Sequence, residues 1–210
     1  TMLADLTVKD FLDKVACSDP VPGGGSIAAL NGAIASALAA MVANLTIGKK
    51  GYELHEELMR HISGVALQQK GAFVEDIDRD SEAYDKVFAC FKMSKATDEE
   101  KAARSTAIQE ATKFAALVPM QVARNAYELM TVIMDVARLG NRNAVTDACV
   151  AMMSARSAVL GALMNVRINL GSLKDKEFVS KLQSEADELE HLACAKEKEL
   201  LDEINQELKV

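Results

Sequence analysis

The chain has 210 residues, half of them hydrophobic but only 4% aromatic, with a net charge of −7. That length suits one domain, residues 1–210, with a substantial core, and the acidic balance with scattered Lys and Arg excludes a nucleic-acid binder, which needs a basic face. Four separated cysteines (Cys17, Cys90, Cys149 and Cys194) without a C-x-x-C pair exclude a zinc ribbon and a disulfide framework, and suit a reduced compartment such as the cytoplasm.

Ala, Leu and Met supply the apolar mass, and after Pro22 the only proline is Pro119. Almost the whole chain can therefore be helix with short breaks, which predicts an all-α, multihelical bundle of long and short helices. No charged n-region with a cleavage site opens the chain, so no signal peptide is expected. Thr7, with Asp10 three residues on, caps a short helix to about Ser18. The stretch Pro20-Val21-Pro22-Gly23-Gly24-Gly25-Ser26 follows as a bare loop, with Ser26 placed as the N-cap of a helix to about Ile47. Gly48-Lys49-Lys50-Gly51 ends that helix, glycines providing the stop and lysines meeting the negative end of its dipole.

Apolar residues near helical spacing, from Leu54 through Leu58, Ile62, Phe73 and Ile77 to Phe88, predict one long helix over about Tyr52 to Met93. Asp98-Glu99-Glu100 then opens a fourth helix to Leu139, bent at Pro119 and stopped by Gly140-Asn141. A fifth, almost uncharged helix runs from about Asn143 to Leu170. Asp175 caps a sixth to about Leu208, with Phe178, Leu182, Leu189, Leu200 and Ile204 facing inward. The second helix is apolar enough to raise a membrane span, but Ser26, Asn31, Ser36, Asn44 and Thr46 interrupt it, and no aromatic belt flanks it. It and the almost uncharged fifth helix read as the centre of a soluble bundle. Four other helices cover two such helices only in part, so a homodimer that packs them together is expected.

A bare loop feeding a helix start offers backbone N–H donors to a carbonyl or an anion, although such stretches also serve simply as connections. It is neither a phosphate P-loop, because Ser26-Ile27 follows Gly25 where Lys-Ser/Thr is needed, nor a dinucleotide fingerprint, because no strand precedes it. On the fifth helix Asn165 and Asn169, at i and i+4, lie on one face about 6 Å apart. Asp147 shares their stripe roughly 27 Å away along the axis, so it can join them only if a second subunit completes the site. Buried amides that merely hydrogen-bond neighbouring helices are the structural alternative. In Glu75-Asp76-Ile77-Asp78-Arg79-Asp80 the alternating aspartates imitate an EF-hand opening, but Ser81 and Val87 occupy its required glycine and glutamate positions, so calcium is rejected and a solvated face is expected. His55, His61 and His191 form no metal spacing, Met41, Met120, Met130, Met134, Met152, Met153 and Met164 read as core filling, and Lys49 suits either a helix cap or a carboxylate ligand.

Several separated stretches together resemble the formimidoyltetrahydrofolate cyclodeaminase and methenyltetrahydrofolate cyclohydrolase family. They are Pro20 to Leu30, Ala40 to Thr46, Asp80-Ser81-Glu82-Ala83-Tyr84, Gly140-Asn141, Thr146-Asp147-Ala148, and Asn165-Val166-Arg167-Ile168-Asn169-Leu170. Tyr84 stands where the family pattern commonly has Phe, keeping the ring and adding a hydroxyl. The resemblance implies a dimeric helical bundle acting on the carbon bridge between N5 and N10 of tetrahydrofolate. One family reaction hydrates the 5,10-methenyl compound to 10-formyltetrahydrofolate, and the other closes 5-formiminotetrahydrofolate to the methenyl compound with loss of ammonia. It implies Asp80 as general acid/base and Asn165 as a second catalytic group. Gly23, Gly24, Gly25, Ser26, Asp147 and Asn169 would bind the substrate, and Lys49 its glutamate or polyglutamate tail. No metal and no cofactor beyond the tetrahydrofolate substrate is expected. A bundle that binds a folate or a partner helix without turnover is the alternative of another class.

Overall fold

The computed structural model describes residues 2–209 and contains, among them, six α-helices and no strand. In chain order they are α1 (Val8–Ala16), α2 (Gly24–Asn44), α3 (Glu56–Phe91), α4 (Asp98–Leu139), α5 (Val145–Leu170) and α6 (Lys176–Glu207). All six expected helices form, and their ends follow local chemistry. The Thr7 hydroxyl accepts the Asp10 N–H at 3.1 Å, Thr97 and Glu100 make a reciprocal capping box, and the Asp175 carboxylate accepts the Phe178 N–H at 3.0 Å.

Three boundaries differ from expectation. Single 3₁₀ turns at Glu53–His55 and Arg142–Ala144 delay the starts of α3 and α5, and Leu54, in the first of these turns, is 96% exposed. The start of α2 carries the third correction: its N-cap is Gly23, in extended backbone, and Ser26 lies inside the first turn. Ser26 is fully buried, donating to the Ile77 carbonyl at 2.7 Å and lying 3.1 Å from the Ser81 hydroxyl. Its side chain is thus committed to α3 and is not available to cap its own helix.

The centre of the bundle is the pair α2 and α5, which run antiparallel. Gly24 lies beside Asn165, Ala28 beside Gly161, and the Leu45 carbonyl accepts from the Asn141 amide at 3.0 Å. Alanines on α2 bring the helices close: Ala29, Ala35, Ala39 and Ala43 are fully buried. α3 packs on α2, α4 covers α5 and α3, and α6 lies over α5 and α4. The expected inward residues of α6 are buried, with Phe178 packed partly against the core. Ion pairs from Arg124 to Glu185, Arg138 to Glu199 and Glu203, Arg156 to Glu197, and Arg167 to Asp187 and Glu190 lace α6 to its neighbours.

Both helices apolar enough for a membrane span therefore contribute to a bundle core. Yet α3, α4 and α6 leave one side of the α2/α5 pair open. Met153 and Met164, expected as core filling, are 39% and 64% exposed, with Val150 and Ile168 also exposed on the same helix, Ile34 on α2 and Leu45 at its C-cap.

Gly32 makes a close contact between α2 and the apolar core of α3: a Cβ there would lie 2.6 Å from the ring of fully buried Phe73. Gly32→Ala gains roughly 1 kcal/mol of helix propensity but overpacks a ring that has nowhere to go, at a cost of about 1–3 kcal/mol. A net loss of stability is expected in urea unfolding, and an unchanged or raised midpoint would show that the contact is looser than the structure has it.

Candidate active site

Asp80 sits on α3 directly against the first turn of α2. A Cβ on Gly25 would fall 2.1 Å from its Oδ1, so only glycine lets the carboxylate lie over the α2 backbone there. Burial pushes the Asp80 carboxyl above the ordinary aspartate range, and the Ser26 backbone N–H pulls the other way. One turn earlier Asp76 is buried, 2% exposed, and pairs with Arg79 at 2.7 Å; burial raises it to about 6, outweighing the Arg79 charge. Asp78 accepts the Leu3 N–H at 2.7 Å and ties down the N-terminal turn. The acidic run is therefore not a solvated face: three of its aspartates have three separate partners.

Facing Asp80 across the start of α2, the α5 residues Asn165 and Asn169 complete a cavity of about 310 Å³. Gly23, Gly24, Gly25, Pro20 and Val21 form one wall, and Ala83, Tyr84, Val87, Ala115 and Ile168 the rest. The Asn165 amide donates to the Gly161 carbonyl at 2.8 Å, and the Asn169 amide to the Asn165 carbonyl at 2.8 Å and the Ala115 carbonyl at 3.2 Å. Both amide nitrogens are thus fixed by backbone. Neither Oδ1 has a protein partner among the described residues or is a sealed, unsatisfied atom, so each is open to a ligand as an acceptor.

Asp80, Asn165, Asn169 and the three glycines are thus brought together, with Ser26 supporting from behind. Lys49 and Asp147 are not with them. Lys49 follows the far end of α2, a helix that spans about 30 Å, and Asp147 is in the first turn of α5, at that same end of the bundle. No cation lines the cavity. Among the described residues no group of three or more His, Cys, Asp or Glu side chains gathers in a metal-holding arrangement. Ile168 lies within a motif of the resemblance, Val87 enters the sequence reading only as a rejected calcium position, and Ala115 has no signal of its own beyond lying four residues before Pro119. A larger cavity of about 460 Å³ adjoins, sharing Pro20, Val21 and Tyr84, but Asp19, Asp78, Glu82 and Asp85 outnumber its one cation, Lys14.

A half-buried carboxyl that holds its proton more tightly than usual, beside two fixed amide acceptors and apolar walls, equips a helical bundle for proton transfer to a polar organic ligand. The chain belongs to the formiminotransferase-cyclodeaminase family, whose model matches residues 7–188. It is 40% identical over 192 residues to a methenyltetrahydrofolate cyclohydrolase of Methylorubrum extorquens, covering 90% of each chain. It is 31% identical over 179 residues to the formimidoyltransferase-cyclodeaminase of Rattus norvegicus, where the match takes in 85% of this chain and 33% of that longer protein. The crystal structure of a formiminotetrahydrofolate cyclodeaminase from Thermotoga maritima superposes with a TM-score of 0.84 at 33% identity, covering 95% of this chain and 98% of that one.

Because the folded-state pKa of Asp80 is raised, its contribution to stability is present in full below the ordinary aspartate value of 3.8 and is lost as pH rises through the folded value. Asp80→Asn, which imitates the protonated form, is expected to melt above the wild type at pH 7. The gain should shrink as pH falls toward 4. A melting difference independent of pH would mean that Asp80 is not held in the environment described.

Proposed function

We propose that the chain is a cytoplasmic methenyltetrahydrofolate cyclohydrolase, converting 5,10-methenyltetrahydrofolate and water to 10-formyltetrahydrofolate. The observation that carries this reading is the Asp80 carboxyl, raised in pKa and held over Gly25 opposite Asn165 and Asn169. Ionised, Asp80 takes a proton from water as its oxygen bonds to the carbon between N5 and N10. Protonated, it returns that proton to N5 as the N5–C bond breaks, and the hydroxyl of the tetrahedral carbon loses its own proton to solvent to become the formyl carbonyl. A pKa closer to neutrality serves both halves of that cycle. Asn165 and Asn169 orient the pterin or the bridge carbon, and the N–H groups of Gly24 and Gly25, free in the first turn of α2, are donors at the cavity wall. No cofactor beyond the tetrahydrofolate substrate enters this scheme.

The 40% identity to a cyclohydrolase, over 90% of each chain, favours that activity. The second reading is ring closure of 5-formiminotetrahydrofolate with release of ammonia in histidine breakdown, favoured by the superposition on the Thermotoga protein. The same Asp80 would then protonate the departing nitrogen. Absorbance of the methenyl chromophore separates them: an accelerated fall with the methenyl compound supports the first, and a rise with ammonia from the formimino compound the second. In either assay Asp80→Asn is expected to lose about 10²- to 10⁴-fold in turnover. Wild-type turnover in a folded Asp80→Asn variant would remove the assignment.

The reading includes a homodimer formed through the open α2/α5 face. That face carries no charged side chain between Gly24 and Asn44, so two copies of an acidic chain can meet there without repulsion. Because α2 and α5 are antiparallel, a two-fold axis near the middle of the face would set the partner subunit's Lys49 and Asp147 beside this chain's cavity, which has no cation of its own for a glutamate tail. Ile34, 42% exposed, lies near that middle. Ile34→Glu is expected to leave the fold intact and convert a dimer to a monomer in sedimentation equilibrium at micromolar concentration, with a raised KM. A wild-type monomer under those conditions would overturn the dimer.

A further inference from the structure

α4 runs unbroken through Pro119, a buried residue with no N–H to give. In an α-helix the N–H of residue 119 would bond the carbonyl of residue 115. The Ala115 carbonyl therefore lacks its own helix partner, and the group that fills the vacancy is the side-chain amide of Asn169, reaching across from α5 at 3.2 Å. The other Asn169 N–H goes to the Asn165 carbonyl at 2.8 Å. With both amide hydrogens spent on backbone oxygens, the amide cannot turn over without losing two bonds, and its Oδ1 is left as the atom open to a ligand. Without the proline, the Ala115 carbonyl would also accept the N–H of residue 119, and Asn169 would have to share an acceptor that it now holds alone.

We infer that Pro119, which is absent from the cavity lining, is a positioning residue of the site: by freeing the Ala115 carbonyl it docks the Asn169 amide and presents Oδ1 as a fixed acceptor for a ligand N–H donor. This rests on the folate reading for the identity of that donor, which is one of the pterin N–H groups, and on the geometry alone for the docking. A carbonyl-bearing but donor-free ligand would not use it.

The test restores the missing N–H. Pro119→Ala does so at the loss of some buried volume, and Pro119→Val does so with slightly more apolar bulk, so the pair brackets the size of the proline. In both, the Asn169 side-chain NH₂ signals in a ¹⁵N–¹H spectrum, assigned by their disappearance in Asn169→Ala, are expected to move and to exchange faster with solvent. KM for the folate substrate is expected to rise about five-fold, the scale of one weakened hydrogen bond, with kcat within two-fold and the pH profile unmoved. In the double variant Pro119→Ala/Asn169→Ala, KM should be no higher than in Asn169→Ala alone, because both act through one group. Unmoved NH₂ signals would overturn the inference, as would KM effects that multiply. If the wild type turns over neither folate, the functional reading fails while the NH₂ signals still decide the docking.

Discussion

The cavity depends on a single close approach, that of the first turn of α2 to the Asp80 carboxylate. The chain there has no side chains to keep α3 away, and Gly25 leaves room where any Cβ would collide with the carboxyl oxygens. Two consequences come from that one contact. The carboxyl loses water and holds its proton more strongly, and the free N–H groups of the helix start end up on the same wall as that carboxyl. Ser26 keeps the approach in register through its bond to the Ile77 carbonyl, so a residue whose sequence position suggested a cap serves as a strut between two helices.

The glycines also carry a conformational cost, since glycine in a helix is disfavoured by roughly 0.5–1 kcal/mol relative to alanine. At Gly25 and Gly32 the alternative is collision with Asp80 and Phe73, which is worse. The stability of α2 is therefore tertiary: it is a helix because its alanines are buried on several sides, and its own first turn would fray in isolation.

Much of this was legible in the chain. Helix number and order followed from proline scarcity, Thr7, Asp98-Glu99-Glu100 and Asp175 placed three starts, and Asp80, Asn165 and Asn169 all lie in the motifs that carry the family resemblance. What could not be read has a common cause in long-range geometry. Nothing local says that Asp76 is buried while Asp78 binds the backbone of Leu3, because period and charge look alike along that run. The exposure of Met153 and Met164 depends on which side of α5 the other helices leave open, a property of the whole bundle. Asp147 lies in a family motif and its distance from Asn165 follows from helix rise alone, whereas the presence of Lys49 at that same far end depends on α2 and α5 running antiparallel, which sequence order does not reveal. Pro119 was read as a bend, whereas its effect on the site is a carbonyl left for a neighbour.

The ion pairs that lace α6 to α4 and α5 give the bundle one seam of a different material. Elsewhere helices adhere through buried alanine and methionine, which salt strengthens or leaves alone. Along α6 a large share of the attachment is Arg to Glu at a partly solvated surface, where mobile ions compete for the same charges. Ionic strength thus acts on this protein anisotropically, weighing on the α6 seam more than on the other contacts. The buried Leu182, Ala186, Leu200 and Ile204 are untouched by screening, so what salt weakens is the polar edge of that seam and not its apolar face.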